Sequence, residues 1–292
     1  MRSSSSQRRS DRLMLTLALV SAVAFSVLAQ TPAPSTDSSP AAITGLDHIP
    51  IAVNDLEQAA EDYRALGFAL KPGRPHDNGI RNQHVKFPDG TELELITAPA
   101  ARDALTAKYR QHLAHGDGPA FLAFFAPSRQ AAMARLDAEK INRRNGDLLG
   151  ALDYLFLGPR NQSPTDRPEH FAHPNGAQSL ISVWLAAADL SAERHFLAAM
   201  GASFVTRELY VPEPVRAEVA QLPEGTVVLL PASRQVVPAR PIVGATLRVS
   251  DLALARRTVG RGPRNERIIV TDRSVFLPPS ATHGLWIELR QQ

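Results

Sequence analysis

The sequence of 292 residues contains no cysteine. This absence excludes a disulfide scaffold, a zinc–cysteine finger, an iron–sulfur site and a thiol nucleophile. Any protein-bound metal must therefore be held by histidine, aspartate or glutamate. Aromatic residues make up 6% of the chain, which argues against a stacking platform for single-stranded nucleic acid. The sequence also lacks a glycine-rich phosphate loop and a Gly-x-Ser-x-Gly nucleophile motif.

The net charge of +3 arises at the amino terminus. Residues 1–29 contain four arginines and one aspartate, so the rest of the chain is formally neutral. Proteins that bind nucleic-acid backbones generally carry a concentrated basic surface. The charge distribution therefore argues against nucleic acid as a partner.

The amino terminus has the pattern of an export signal. Arginines and serines precede an apolar stretch at 13–28, and Val27 and Ala29 supply small residues at positions −3 and −1 of a cleavage site. That stretch is shorter than the roughly 20 residues of a membrane span. We expect a signal peptide over 1–29, a secreted or periplasmic protein, and no membrane span after cleavage. The Pro/Ser-rich residues 30–43 predict a flexible linker.

A strand followed by an amphipathic helix recurs four times, with helices that begin near residues 55, 128, 189 and 251. Such regular spacing predicts duplicated structural units. The first unit continues with strand-like segments at 68–70, 82–87 and 91–97, the last two joined by the turn Pro88-Asp89-Gly90. Each unit therefore has the order βαβββ, and two such half-barrels facing each other would enclose a pocket.

Four segments, LDHIPIAVNDLEQA, PHDNGIRN, DGTELELI and HPNGAQSL, resemble the glyoxalase-like branch of the vicinal oxygen chelate superfamily. The resemblance implies an α+β fold of four βαβββ units, paired into modules at 44–170 and 171–292. It also implies a cavity that commonly holds a divalent metal ion, here zinc, nickel, cobalt, manganese or iron.

The resemblance places a metal-binding histidine at His48 on the first strand and a carboxylate ligand at Glu94 on the last strand of the first unit. Strand alternation puts His48 on the face opposite Ile49 and Ile51, so we expect it to point into the pocket. The third ligand is expected from His173, with His76 or His84 as alternatives. Glu92 replaces Glu94 if the strand register is shifted.

Substrate-binding and catalytic groups are expected around the same pocket. His84 shares a strand face with Asn82 and Lys86, and His76 lies in the loop that precedes this strand. We predict substrate contacts from these four side chains. A glutamate with a raised pKa would serve as general base, either Glu92 or Glu288.

The remaining units supply few metal ligands. Their first strands carry no histidine, and Glu288 is their one carboxylate at the expected ligand position. Three functions stay open. The leading one is a metal-dependent lyase or isomerase that acts on a small oxygen-rich molecule. The second is a metal-free periplasmic protein that binds or sequesters a small molecule, and the third is a ring-cleaving dioxygenase. The sequence does not fix the oligomeric state, and a homodimer is compatible with it.

Overall fold

The computed structural model describes residues 41–260 and 267–291. The predicted signal peptide (1–29) and residues 30–40 of the predicted linker lie outside this part of the chain. Ala42 and Ile43 are buried, and the N–H of Ala42 donates a hydrogen bond to the carbonyl of Met200 at 2.9 Å. The folded chain therefore begins before the boundary at 43 that the sequence predicts. Within the described residues, no helix is both long and apolar enough to cross a membrane.

Secondary structure follows the predicted alternation of strands and helices. The first half contains β1 (Gly45–Leu46), β2 (His48–Ala52), α1 (Leu56–Ala65), β3 (Lys71–Pro72), β4 (Arg81–Lys86), β5 (Glu92–Thr97), α2 (Ala104–Leu113), β6 (Gly118–Pro119), β7 (Leu122–Phe125), α3 (Arg129–Ala138), β8 (Arg143–Arg144), β9 (Asp147–Leu148) and β10 (Leu155–Gly158). The second half contains β11 (Ala177–Ala187), α4 (Ser191–Ala199), β12 (Ser203–Tyr210), β13 (Pro214–Gln221), β14 (Thr226–Pro231), β15 (Ile242–Val249), α5 (Leu252–Val259), β16 (Ile269–Val270), β17 (Ser274–Leu277) and β18 (Trp286–Arg290). Short 3-10 helices lie at Gly150–Leu152, Pro168–Phe171 and Ala232–Arg234.

The first half forms two sheets that continue into each other. One sheet has the strand order β3-β4-β5-β2-β6 and the other has the order β1-β7-β10. The N–H of Asp47 donates to the carbonyl of Ala123 at 2.9 Å, and that of Ala120 donates to Pro50 at 2.8 Å. These bonds join the two sheets where β1 passes into β2.

The first unit has the predicted order βαβββ, with β2, α1, β3, β4 and β5. The second unit departs from it, because β8 and β9 form a separate two-stranded ribbon and β10 pairs in parallel with β7. The α+β architecture agrees with the prediction. Four equivalent units are not observed in the described part of the chain.

The second half forms one sheet of eight strands with the order β12-β13-β14-β11-β15-β18-β17-β16. The order of the third unit, read outward from β11, matches that of the fourth unit read outward from β15. The two units meet through the antiparallel pair β11 and β15. The helices α4 and α5 follow the first strand of each unit and bury an apolar face that includes Phe196, Leu197 and Ala255.

Helix α1 shows how local sequence positions the first unit. The side chain of Asp55 caps the helix by accepting a hydrogen bond from the N–H of Gln58 at 3.0 Å. Leu56, Ala59 and Tyr63 are buried on one face. Gly67 ends the helix region with φ of +83°, a conformation that glycine adopts without strain. The helix thereby returns the chain to β3 beside the sheet.

The segment HPNG at 173–176 connects the two halves. The ring of His173 is buried, its Nδ1 accepts a hydrogen bond from the N–H of Ala69 at 3.0 Å, and its Nε2 donates to the carbonyl of Lys86 at 2.8 Å. Asn175 is also buried, and its Nδ2 donates to the carbonyl of Leu66 at 3.0 Å. His173 and Asn175 thereby supply hydrogen-bond partners to backbone groups of the first unit.

We predict that His173→Ala lowers the free energy of unfolding by about 2–4 kcal/mol, because it leaves a buried N–H and a buried carbonyl unpaired and opens a cavity. Urea denaturation followed by circular dichroism measures the change. His115→Ala is the control, since His115 is exposed and lies outside the junction. Equal stability of the two variants would contradict a structural role for His173.

Candidate functional site

The strand register of the first sheet brings ionisable side chains to one face. Strand β2 pairs in parallel with β5, where His48 lies opposite Glu92. Strand β4 pairs with the other edge of β5, where His84 lies opposite Glu94. Because paired residues on neighbouring strands project to the same side of a sheet, these four side chains share one face.

This face borders a cavity of about 670 Å³. The cavity is lined by His48, Lys71, His76, Asn82, His84, Glu92, Glu94 and residues 161–165, among others. The structure therefore brings together six of the predicted site residues. Lys86, His173 and Glu288 do not line this cavity.

His48 is oriented by the residue that precedes it. Its Nδ1 lies 2.9 Å from Oδ1 of Asp47, a buried carboxylate whose Oδ2 accepts the backbone N–H of Arg160 at 3.1 Å. Burial lowers the pKa of His48, but the hydrogen bond to Asp47 and the negative charges of Asp47, Glu94 and Glu92 outweigh it and raise the pKa to about 9. His48 is therefore an imidazolium at neutral pH, with its Nε2–H directed into the cavity.

Glu94 faces His48 across a short gap. Its Oε1 accepts a hydrogen bond from Nδ2 of Asn82 at 2.5 Å, and its Oε2 lies 3.8 Å from Nε2 of His48. That separation exceeds hydrogen-bond length, so the two atoms are not hydrogen bonded to each other. Each of them can therefore form a hydrogen bond to a ligand. The ring of Phe156 from β10 packs edge-on against His48 with centroids 5.2 Å apart. The acid–base pair therefore lies between a polar strand face and an aromatic edge.

Two polar atoms of the cavity residues are buried without a partner among the described residues. They are Nε2 of His76 and Oδ1 of Asn82. Buried polar atoms in folded proteins are almost always hydrogen bonded. Both atoms are enclosed by protein, and Oδ1 of Asn82 lies against Gly73, so they do not by themselves mark a ligand contact.

A buried charge cluster closes the far side of the cavity. Asp166 accepts hydrogen bonds from Nζ of Lys71 at 2.5 Å and Nζ of Lys86 at 2.8 Å, and Lys86 also donates to the carbonyl of Asn161 at 2.5 Å. Lys86 is buried, so its predicted role as a substrate contact is corrected: it anchors the segment 161–166 over the cavity.

Glu92 is surrounded by donors. Its carboxylate lies 3.2 Å from Nδ1 of His84, 3.5 Å from Nδ2 of Asn161 and 3.9 Å from Nζ of Lys86. In this arrangement Glu92 balances the charge of its neighbours, and Glu94 is the carboxylate whose free oxygen faces His48.

The predictions for His173 and Glu288 change with the structure. Both ring nitrogens of His173 bind backbone groups, so the predicted ligand role is corrected to the structural one described above. Glu288 lines a separate cavity of the second sheet, so it does not act as a base beside His48. His283 lies between Asp62 and Asp117, at 3.1 and 2.7 Å, and is likewise outside the cavity.

The resemblance implies a divalent ion, and the donor atoms of the cavity determine whether one fits. Nε2 of His48 and Oε2 of Glu94 are the two donor atoms that approach each other. Among the described residues, no group of three histidine, aspartate or glutamate side chains converges as a metal site. Zinc and related ions bound by protein side chains normally require at least three such ligands. The residues present therefore do not fit a resident metal ion.

Sequence reasoning missed three residues of this site. Strand alternation alone places Asp47 on the face opposite His48, yet it lies at the break between β1 and β2 and binds its neighbour His48. An Asp-His pair at the start of a strand is the signal that could have revealed it. Lys71 and Asp166 are 95 positions apart, and no local pattern indicates their contact.

We predict that Asp166→Asn lowers the free energy of unfolding at neutral pH by about 2 kcal/mol, because two buried ammonium groups lose their anion. Burial raises the pKa of Asp166, but the hydrogen bonds from Lys71 and Lys86 outweigh it and hold that pKa well below the ordinary carboxyl value. The stabilisation is thus present above the ordinary carboxyl pKa and is lost as the pH falls.

Urea denaturation over a range of pH measures this difference. Asp137→Asn is the matched control, because Asp137 pairs with Arg143 at an exposed position. A wild-type advantage that persists unchanged into strong acid, or an equal effect of both substitutions, would contradict the account of Asp166.

The fold places this chain among proteins with the same strand arrangement. It superimposes on a variant of 4-hydroxymandelate synthase from Streptomyces coelicolor with a TM-score of 0.61 and 16% identity, over 86% of this chain and 93% of that one. Homoprotocatechuate 2,3-dioxygenase from Arthrobacter globiformis matches with a TM-score of 0.58 and 14% identity, over 90% and 84%. A hypothetical protein from Staphylococcus aureus gives a TM-score of 0.58 and 10% identity, over 85% and 99%. At these identities the likeness establishes the fold alone.

Sequence comparison identifies the family. No curated protein matches the sequence. The family model for the glyoxalase-like domain matches residues 46–201, which is more than half of the chain and includes the whole cavity described above. The structural neighbours carry the vicinal oxygen chelate fold that the sequence segments predicted. The chain therefore belongs to the glyoxalase-like domain family, with the vicinal oxygen chelate fold.

Proposed function

We propose that this protein binds a small oxygen-rich carbonyl compound in the cavity of the first sheet and moves a proton within it, as an isomerase or lyase does. The observation that carries the proposal is the Asp47–His48 pair, whose Nε2 faces a free oxygen of Glu94 across 3.8 Å. One group is cationic and carries a proton, and the other is an anion that can accept one. A proton-transfer site needs both.

The geometry supports one elementary step. The Glu94 carboxylate removes a proton from the carbon next to the substrate carbonyl, and the electron pair of that C–H bond forms a carbon–carbon double bond. The carbonyl oxygen takes the proton from Nε2 of His48. The products of the step are an enol, a neutral glutamic acid and a neutral imidazole. Return of the protons to other positions gives an isomer, and loss of a neighbouring leaving group gives an elimination product.

Two neighbours make this exchange favourable. Asp47 stabilises the imidazolium and fixes the orientation of its ring, as a buried carboxylate does for a catalytic histidine. Asn82 donates to the other oxygen of Glu94 and holds it in place. Both partners are ordered before substrate arrives, which lowers the cost of reaching the transition state.

The walls of the cavity suggest the class of substrate. His76, Asn82 and His84 line the cavity and carry hydrogen-bonding groups. A molecule with several hydroxyl or carbonyl oxygens satisfies such a surface better than an apolar one. Lys71 and Lys86 both pair with Asp166, and Glu92 lies 3.9 Å from Nζ of Lys86, so two carboxylates balance the two ammonium groups.

We predict that the wild-type protein catalyses deuterium exchange from D₂O into the carbon next to a carbonyl. The assay is proton NMR with a panel of small 2-hydroxyaldehydes, 2-hydroxyketones and 2-oxo acids. Because the exchange requires both groups, His48→Gln and Glu94→Gln should each slow it by about 100-fold or more.

His115→Gln and Glu61→Gln are matched controls, since both residues are exposed and lie outside the cavity. Exchange that is equally fast in the His48 and Glu94 variants would reject the mechanism. Binding of a panel member, detected by thermal shift, without exchange would favour the rival function of a metal-free binding protein.

The two-donor arrangement leads to a prediction about metals. We expect protein purified without chelator to contain far less than one equivalent of zinc, nickel, cobalt, manganese or iron, because two side-chain donors hold such ions weakly. Elemental analysis by mass spectrometry measures the content. A stoichiometric ion that is lost in Glu94→Gln, together with exchange that stops on chelation, would restore the metal-dependent function.

Ring-cleaving dioxygenase activity is the third function considered, and its support is the fold shared with homoprotocatechuate 2,3-dioxygenase. In the second half of this chain, the carboxylate at the expected position is Glu288, which already accepts hydrogen bonds from Thr246, Ser274 and Arg290. We therefore favour proton transfer. Oxygen uptake with catechols in the presence of Fe(II) would reverse that preference.

A further inference from the structure

The second sheet has a cavity of its own, with a volume of about 560 Å³. Strands β11 to β15 and β18 contribute alternate residues to its wall, so one face of the sheet forms its floor. Its size is within the range of small-molecule sites. The proton-transfer function proposed above does not use it.

Cross-strand register arranges the floor in three rows. The first row is apolar and contains Val219, Val228 and Trp184, which are paired in that order across β13, β14 and β11. The second row is polar and contains Gln221, Thr226, Ser182, Thr246 and Glu288. The third row is cationic and consists of Arg248 on β15 paired with Arg290 on β18. Polarity therefore changes in one direction along the strands, from apolar to cationic.

The carboxylate in the polar row is fully engaged. Glu288 is buried and accepts hydrogen bonds from Thr246 Oγ1 at 2.7 Å, Ser274 Oγ at 2.5 Å and Arg290 Nε at 2.8 Å. The indole N–H of Trp184 donates in turn to Thr246 Oγ1 at 3.2 Å. These donors occupy both carboxylate oxygens of Glu288, and Arg290 forms an ion pair with it at 2.6 Å.

Most other charges at the cavity wall are also paired. Arg160 forms an ion pair with Glu224 at 2.6 Å, and Asp89 accepts hydrogen bonds from Ser179 and Thr91. Arg207 and Arg248 have no carboxylate partner among the described residues. Arg207 is exposed on the edge strand β12, beyond the apolar row, whereas Arg248 lies at the polar end and its Nε is buried without a hydrogen-bond partner. An unpaired guanidinium at the end of a cavity is a site for an anion, because its planar donors match a carboxylate.

We propose that the second cavity binds a small organic carboxylate, with its anionic group on Arg248 and its apolar part against Trp184. The polar row between them accommodates the middle of the ligand, and the distance between the rows sets its length. This site is independent of His48 and Glu94. On this proposal the protein has two cavities of different chemistry, the proton-transfer site of His48 and Glu94 in the first half and an amphipathic site for an organic anion in the second.

Isothermal titration calorimetry with benzoate and hexanoate tests this site, with benzyl alcohol and hexanol as uncharged counterparts. We expect the carboxylates to bind at least about tenfold more tightly than the alcohols. Arg248→Gln should remove this preference, and Arg248→Lys should retain part of it, because lysine keeps the charge without the planar pair of donors.

Controls separate this inference from the proposed function. Arg273→Gln removes an exposed arginine that does not line the cavity and should leave binding unchanged. His48→Gln should also leave it unchanged, whatever its effect on proton exchange. No binding of either carboxylate, equal binding of acids and alcohols, or an undiminished preference in Arg248→Gln with an unaltered melting temperature would overturn the proposal.

Discussion

The parallel pairing of β2 with β5 is the constraint on which the rest of the site depends. Helix α1 and strands β3 and β4 form the crossover between these two strands, so the first and last strands of one unit become neighbours. This register sets His48 beside Glu92 and brings Glu94 within 3.8 Å of its ring. A shift of one residue would turn the carboxylates to the apolar side, at the cost of burying them without partners.

Charge balance explains how so many ionisable groups remain buried on one face. Each negative group has a nearby donor, as Asp47 has His48 and Asp166 has two lysines. Such pairing offsets the cost of desolvation, and it leaves the outer nitrogen of His48 as the cationic group directed at the cavity. The second sheet shows the same pairing between Glu288 and Arg290, and beside this pair Arg248 is a cation without a carboxylate partner among the described residues. In both halves the proposed functional group, His48 or Arg248, is therefore a cation that remains available to a ligand after the internal ion pairs have formed.

Strand alternation and turn chemistry predicted much of this arrangement. The period of two on β2 and β4 directed His48 and His84 to a pocket, the family resemblance added Glu94 on β5, and all three line the cavity. Contacts between distant segments were beyond such reasoning. The role of His173 depends on how the two halves pack, since its partners lie 87 and 104 positions away. Glu288 occupied the expected strand position, but its neighbours across the sheet decide its chemistry, and those neighbours follow from a register that sequence alone does not fix.

The central claim is that Asp47 and the nearby glutamates hold His48 as a cation poised for proton transfer. Nuclear magnetic resonance of histidine-labelled protein, titrated from acid to alkaline pH, measures the pKa of that imidazole directly. The account predicts a value near 9 for His48, assigned by its loss in His48→Gln, and a lower value in Asp47→Asn, where burial acts with less opposition. A His48 pKa at or below the ordinary value of about 6.5 would contradict it.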